Sequence, residues 1–166
     1  MHPPFSPSAR LTALGTQLIE IHDWLREELV RLRASLDSPG GLTRELRAHC
    51  VGFCAALHRH HTGEDAGAFQ VLAEQVPELR PVLATLSEDH RVVASILTRV
   101  EELVSGPVAG PAVRAELDGL AALLESHFTY EERTLVAALD AVSAGTAEEL
   151  LGLNVPDGNS AVEERN

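Results

Sequence analysis

The chain contains no lysine; all 13 of its basic residues are arginine, set against 25 acidic ones. The resulting net charge of −12 argues against nucleic acid or an anionic membrane surface as a partner. Aromatic residues are scarce as well, at 4%, while hydrophobic residues reach 45%. A core must therefore be built from Leu, Val and Ala, a palette that favours helix. No apolar run approaches the length of a membrane span. There are only two cysteines, Cys50 and Cys54, one helical turn apart, where a disulfide would join nothing to anything. Cysteine usage thus gives no sign of an oxidising compartment. The opening MHPPFSPSAR lacks the charged start and apolar middle of a secretory signal, so a cytoplasmic location is expected.

What the chain does have is a set of amphipathic stretches whose apolar rows are each interrupted by histidine. The first runs Leu11, Leu14, Leu18, His22, Leu25, Leu29, Leu32, Leu36, and the second Leu46, Cys50, Phe53, Leu57, His60, Glu64. The third runs Leu79, Leu83, Leu86, His90, Val93, Leu97, Val100, Val104, and the fourth Val113, Leu117, Leu120, Leu124, His127, Glu131. Steps of three and four trace one helix face, the face that turns to a core. A histidine or carboxylate there must be desolvated, which is costly unless something compensates it.

The breaks between these stretches set the organisation. Residues 1–7 are expected to be loose, and Ser8 to cap a helix running to about Leu36, ended by Asp37-Ser38-Pro39-Gly40-Gly41. Thr43 is expected to cap a second helix reaching about Glu74 despite Gly63 and Gly67. A third is expected from Pro81 to Val104, and a fourth from Ala112 to Val142 after the Gly/Pro-rich loop 105–111. Thr146 is expected to cap a short helix to Leu153, and 154–166 to be a disordered tail. Short loops between long helices predict an all-α, up-down-up-down antiparallel four-helix bundle over residues 8–153, with a short extra C-terminal helix.

Within that bundle, spacing of i and i+4 places His60 over Glu64 and His127 over Glu131 on single faces. His22 and His90 add one imidazole from each remaining helix. Four imidazoles and two carboxylates are too many for one tetrahedral zinc and suit two metals bridged by Glu64 and Glu131. Mixed nitrogen and oxygen ligation with open positions suits iron better than calcium or magnesium.

No Glu-x-x-His pair of the ferritin type occurs. Instead the order is His, His-x-x-x-Glu, His, His-x-x-x-Glu, with local text His60-His61-Thr62-Gly63-Glu64-Asp65 and His127-Phe128-Thr129-Tyr130-Glu131-Glu132. This resembles the hemerythrin-like, or HHE cation-binding, domain family over about residues 8–142. The resemblance implies two iron ions, oxo- or hydroxo-bridged, held by His22, His60, Glu64, His90, His127 and Glu131. It also implies binding of dioxygen, peroxide or nitric oxide at an open site, with a redox or detoxification role. The alternatives are an oxygen-activating diiron oxidase acting on an organic substrate and a sensor of oxygen, iron or redox state. Oxygen-carrying members have a further histidine four residues after the third-helix ligand, where this chain has Ala94.

His61, one position off the inward row, is a possible replacement ligand, although a supporting role beside the metal is the expected one. His58 points further away and reads as a surface residue or as one that supports the site without ligating. Cys50 and Cys54, in a row with His58, read as small buried hydrophobes rather than a thiolate site. Trp24 and Tyr130 are expected to fill the core, and Asp65 and Glu132 to belong to solvated acidic faces.

Overall fold

The computed structural model describes residues 13–37, 41–107, 110–143 and 145–154. The segment 1–7, the Ser8 cap and the tail beyond residue 154 fall outside the described residues. The elements in order are α1 (Leu14–Leu36), α2 (Arg44–Ala66), α3 (Ala68–Gln75), a 3-10 turn (Pro77–Leu79), α4 (Arg80–Ser105), α5 (Gly110–Asp140) and α6 (Ala147–Leu151). No strand occurs among the described residues.

The helix starts follow from local chemistry. The Thr43 hydroxyl accepts a hydrogen bond from the Leu46 N–H at 3.1 Å, and the Thr146 hydroxyl accepts one from the Glu149 N–H at 3.2 Å. Each relieves one of the backbone donors that a first turn leaves without a partner. Pro81 sits in the first turn of α4, where its missing N–H costs nothing.

α2 ends earlier than its sequence suggests. The helix stops at Ala66 and resumes as α3, because Gly67 departs from helical geometry at φ −108°, ψ −91°. A Cβ at Gly67 would stand 2.7 Å from the Glu149 carbonyl oxygen and 2.9 Å from the Leu150 Cα, so the backbone of α6 lies directly against this break. The expected continuous helix to Glu74 is corrected on that ground.

α1, α2, α4 and α5 form an antiparallel bundle in which each helix packs on two others, α1 on α2 and α5, and α4 on α2 and α5. Ion pairs and hydrogen bonds mark the register. Arg33 meets Asp118 at 2.8 Å and Arg26 meets Glu125 at 3.1 Å between α1 and α5. His49 meets Glu28 at 2.6 Å between α2 and α1, and Arg99 meets Glu116 at 3.3 Å between α4 and α5. These pairs lie on or near the surface and contribute little individually. The cohesive term is the interior, where Leu18, Leu25, Leu32, Leu57, Leu86 and Leu120 are each fully buried. Among the described residues no helix is long and apolar enough to cross a membrane.

Candidate metal centre

The antiparallel register brings the histidine of each long helix to one level. His22 on α1, His60 and Glu64 on α2, His90 on α4, and His127 and Glu131 on α5 are all buried. All six predicted residues meet there. His61, one residue beyond His60, is buried with them at 3% exposure.

Four of the rings are oriented by a partner on their outer nitrogen. His22 Nδ1 lies 2.9 Å from Glu132 Oε2, His90 Nδ1 lies 3.0 Å from Asp65 Oδ1, and His127 Nδ1 lies 2.9 Å from Asp89 Oδ2. His60 Nδ1 lies 2.7 Å from the Leu151 carbonyl oxygen. Ionised carboxylates and carbonyls only accept, so each Nδ1 must donate, and each Nε2 keeps its lone pair free. That lone pair points inward. Arg26 steadies the arrangement by donating to Glu132 while its guanidinium lies 5.3 Å from the centre of the Phe128 ring.

The inner atoms are buried without hydrogen bonds. Nε2 of His22, His60, His61, His90 and His127, and both oxygens of Glu64 and Glu131, have no hydrogen-bond partner. They are nevertheless close together. Glu64 Oε1 lies 3.2 Å from His60 Nε2 and 3.6 Å from His90 Nε2. Glu131 Oε2 lies 3.3 Å from His127 Nε2 and 3.7 Å from His22 Nε2. Two ligand atoms each about 2.1 Å from one ion stand roughly 3.0–3.4 Å apart at octahedral to tetrahedral angles. Seven buried side chains presenting bare lone pairs at about this spacing fit metal cations, and a native core otherwise avoids such groups.

The donors group in threes. Ligand atoms of His22, His60 and Glu64 lie within 4.8 Å of one another, as do those of His61, His90 and His127, and those of Glu64, His90 and Glu131. The carboxylates thus stand between two imidazole clusters.

Without a cation the centre is electrostatically frustrated. Burial and the neighbouring Glu131 charge hold the Glu64 carboxyl well above the usual carboxylate range. Burial would raise Glu131 too, but the neighbouring Glu64 carboxyl and the adjacent His127 and His22 rings hold it below that range. Two buried carboxylates this close oppose each other's ionisation. Burial pushes His60 down to about 3, and burial with four neighbouring imidazoles keeps His61 well below the ordinary histidine value. For His127, burial is outweighed by Glu131 and Asp89, which raise it.

Phe128 and Phe69 wall the site. The Phe128 ring stacks on His22 at 3.9 Å between centroids, and Phe69 stacks on His90 at 5.5 Å. Residues 15–139 match the family model of the hemerythrin HHE cation binding domain. The chain belongs to the hemerythrin HHE cation-binding family. Comparison with curated proteins and with solved structures returned no match.

Several expectations read from the residues are revised by this geometry. Asp65 and Glu132 are not merely solvated; each is half-buried and holds a histidine of the centre. Asp89, which the sequence did not single out, does the same for His127. Its adjacency to His90 marks it in the sequence, but only packing against α5 shows that it holds His127. Tyr130 is exposed rather than in the core, and Trp24 is half-buried at the edge of it. His58 is exposed as expected. Cys50 and Cys54 are free and buried, outside the metal-type groupings, and burial pushes the Cys54 thiol up to about 12. A thiol that keeps its proton is a hydrophobe, not a ligand.

Proposed function

We propose that this domain holds two iron ions between its long helices and offers an open coordination position to dioxygen, nitric oxide or peroxide, with a redox or detoxification role. The observation that carries the reading is the placement of the carboxylates. One oxygen of Glu64 lies between His60 and His90, and one oxygen of Glu131 lies between His127 and His22. Each carboxylate therefore adjoins a nitrogen from either cluster, the position of a bridge. His22, His60, His90 and His127 would be the terminal ligands and Glu64 and Glu131 the bridges. Nitrogen and oxygen donors without thiolate suit iron, which supplies redox chemistry and affinity for small oxygen- and nitrogen-containing ligands.

The chain's own contribution is orientation and exclusion. Glu132, Asp65, Asp89 and the Leu151 carbonyl hold the proton on each Nδ1, raising the basicity of Nε2. Phe128 and Phe69 keep bulk water from the inner face. A cytoplasmic setting is part of the same proposal.

Anaerobic reconstitution with ferrous iron followed by elemental analysis tests the centre. Saturation at two irons per chain is expected, and saturation at one would sink the dinuclear reading. Optical titration of the loaded protein with oxygen, peroxide and nitric oxide then separates reversible binding from consumption. A second reading, oxidation of an organic substrate, is favoured by a cavity of about 400 Å³ between α1 and α5. It is lined by Arg26, Leu29, Val30 and Phe128 among others, and Phe128 also stacks on the His22 ring.

A further inference from the structure

The two imidazole clusters are unequal. His22 and His60 stand on one side of the carboxylates, while His90 and His127 on the other side are joined by His61. The His61 Nε2 is buried and has no hydrogen-bond partner. Its ring lies flat against His90, 3.9 Å between centroids with an 11° tilt, and 5.2 Å from the His127 ring. Among the described residues no acceptor holds its Nδ1, so stacking rather than hydrogen bonding fixes this ring. Successive helix residues differ by about 100° in direction. His60 and His61 can therefore straddle the centre, each facing a different cluster. A buried imidazole nitrogen without a protein partner is costly, and ligation removes that cost.

We propose that His61 is a metal ligand, the third imidazole nitrogen on the ion held by His90 and His127. The neighbouring position on α4, Ala94, has no donor, and a cavity of about 150 Å³ lies there against His61 and His90. His61 thus supplies from α2 a nitrogen that α4 does not provide. The assignment rests on the dinuclear reading above.

The test is titration of the full chain with Co²⁺, read by elemental analysis, chelator competition and ligand-field absorption. The wild type is compared with His61→Ala, the volume-filling His61→Phe and the surface control His58→Ala. Wild type and His58→Ala are expected to bind two Co²⁺. Both His61 variants are expected to hold one ion as the wild type does and the other more than about 100-fold more weakly, beyond the roughly 10–100-fold that a residue merely supporting a ligand costs, with shifted bands. Two ions at wild-type affinity with unchanged bands in either variant would overturn His61 as a ligand and leave the centre standing. Fewer than two ions in the wild type would overturn the dinuclear reading itself. Independently of any variant, NMR of Co²⁺-loaded wild type carrying ¹⁵N-histidine should show five hyperfine-shifted imidazoles. Four would overturn the proposal.

Discussion

Toward the turn joining α1 to α2, the bundle interior is Leu29, Leu32, Leu46, Cys50, Val104 and Leu117, all buried and apolar. Further along the same four helices, the inward positions become His22, His60, Glu64, His90, His127 and Glu131, equally buried. All four helices run unbroken from one region into the other. Only the side chains differ, and with them the source of stability. The apolar region gains from removing carbon surface from water and needs nothing further. The polar region has lost hydration without gaining hydrogen bonds at its inner atoms, so the fold holds it in place until a cation completes it.

The contrast is broken most severely by truncating the apolar region. Leu120→Ala, at a fully buried position, should cost about 2–5 kcal/mol. The loss should be the same with and without iron, as read from denaturant unfolding of both forms. A loss confined to the iron-loaded form would mean the two regions are not independent.

Metal should affect only the polar region. Iron at a hundredfold excess over its dissociation constant should add roughly 2.7 kcal/mol, seen as a higher Tm. His60→Leu should abolish most of that gain while changing metal-free stability much less, because the unpaired Nε2 is removed but the Leu151 carbonyl loses its donor. The gain should also vanish in acid. His60 and His61 are held neutral when folded, His60 down to about 3. The unfolded chain takes up protons on both below about 6.5. Stability is therefore present above that value and lost as pH falls toward 3 for His60, and protons compete with metal over the same window. Equal melting temperatures with and without iron at neutral pH would argue against the centre.

A smaller effect should come from the clamp behind His60. A Cβ at Gly63 would stand 2.4 Å from the Gly152 Cα, and Gly152 itself takes φ +76°, a conformation glycine adopts without strain. This close approach carries the Leu151 carbonyl to His60 Nδ1. Gly63→Ala should push α6 away, costing about 1–3 kcal/mol and weakening metal binding. Unchanged iron affinity in a folded variant would show that the carbonyl does not orient the ring.

The smallest expected effects are at the outer acceptors. Asp89→Asn, Asp65→Asn and Glu132→Gln should each keep two metals and lower affinity by about 10-fold. Chelator competition reads the change. Loss of a whole metal in one of these variants would assign that carboxylate to the metal itself.

The sequence by itself determined the four long helices, because an unbroken row of apolar residues at three- and four-residue steps has only one periodicity that buries it. It determined the Thr43 and Thr146 caps, whose partners lie three residues away. It also put His22, His60, Glu64, His90, His127 and Glu131 on the buried faces, since each continues its helix's apolar row. Tertiary structure alone decided what lies behind those rings. Leu151 is 91 positions from His60 and Glu132 is 110 from His22, and no local spacing connects them. Asp65 and Glu132 look like surface acids in sequence because part of each is surface; only packing against α4 and α1 reveals the rest. His61 was undecided for the same reason. A residue about 100° from the inward row faces solvent on an isolated helix. Here α4 and α5 close over it, and it faces His90 and His127.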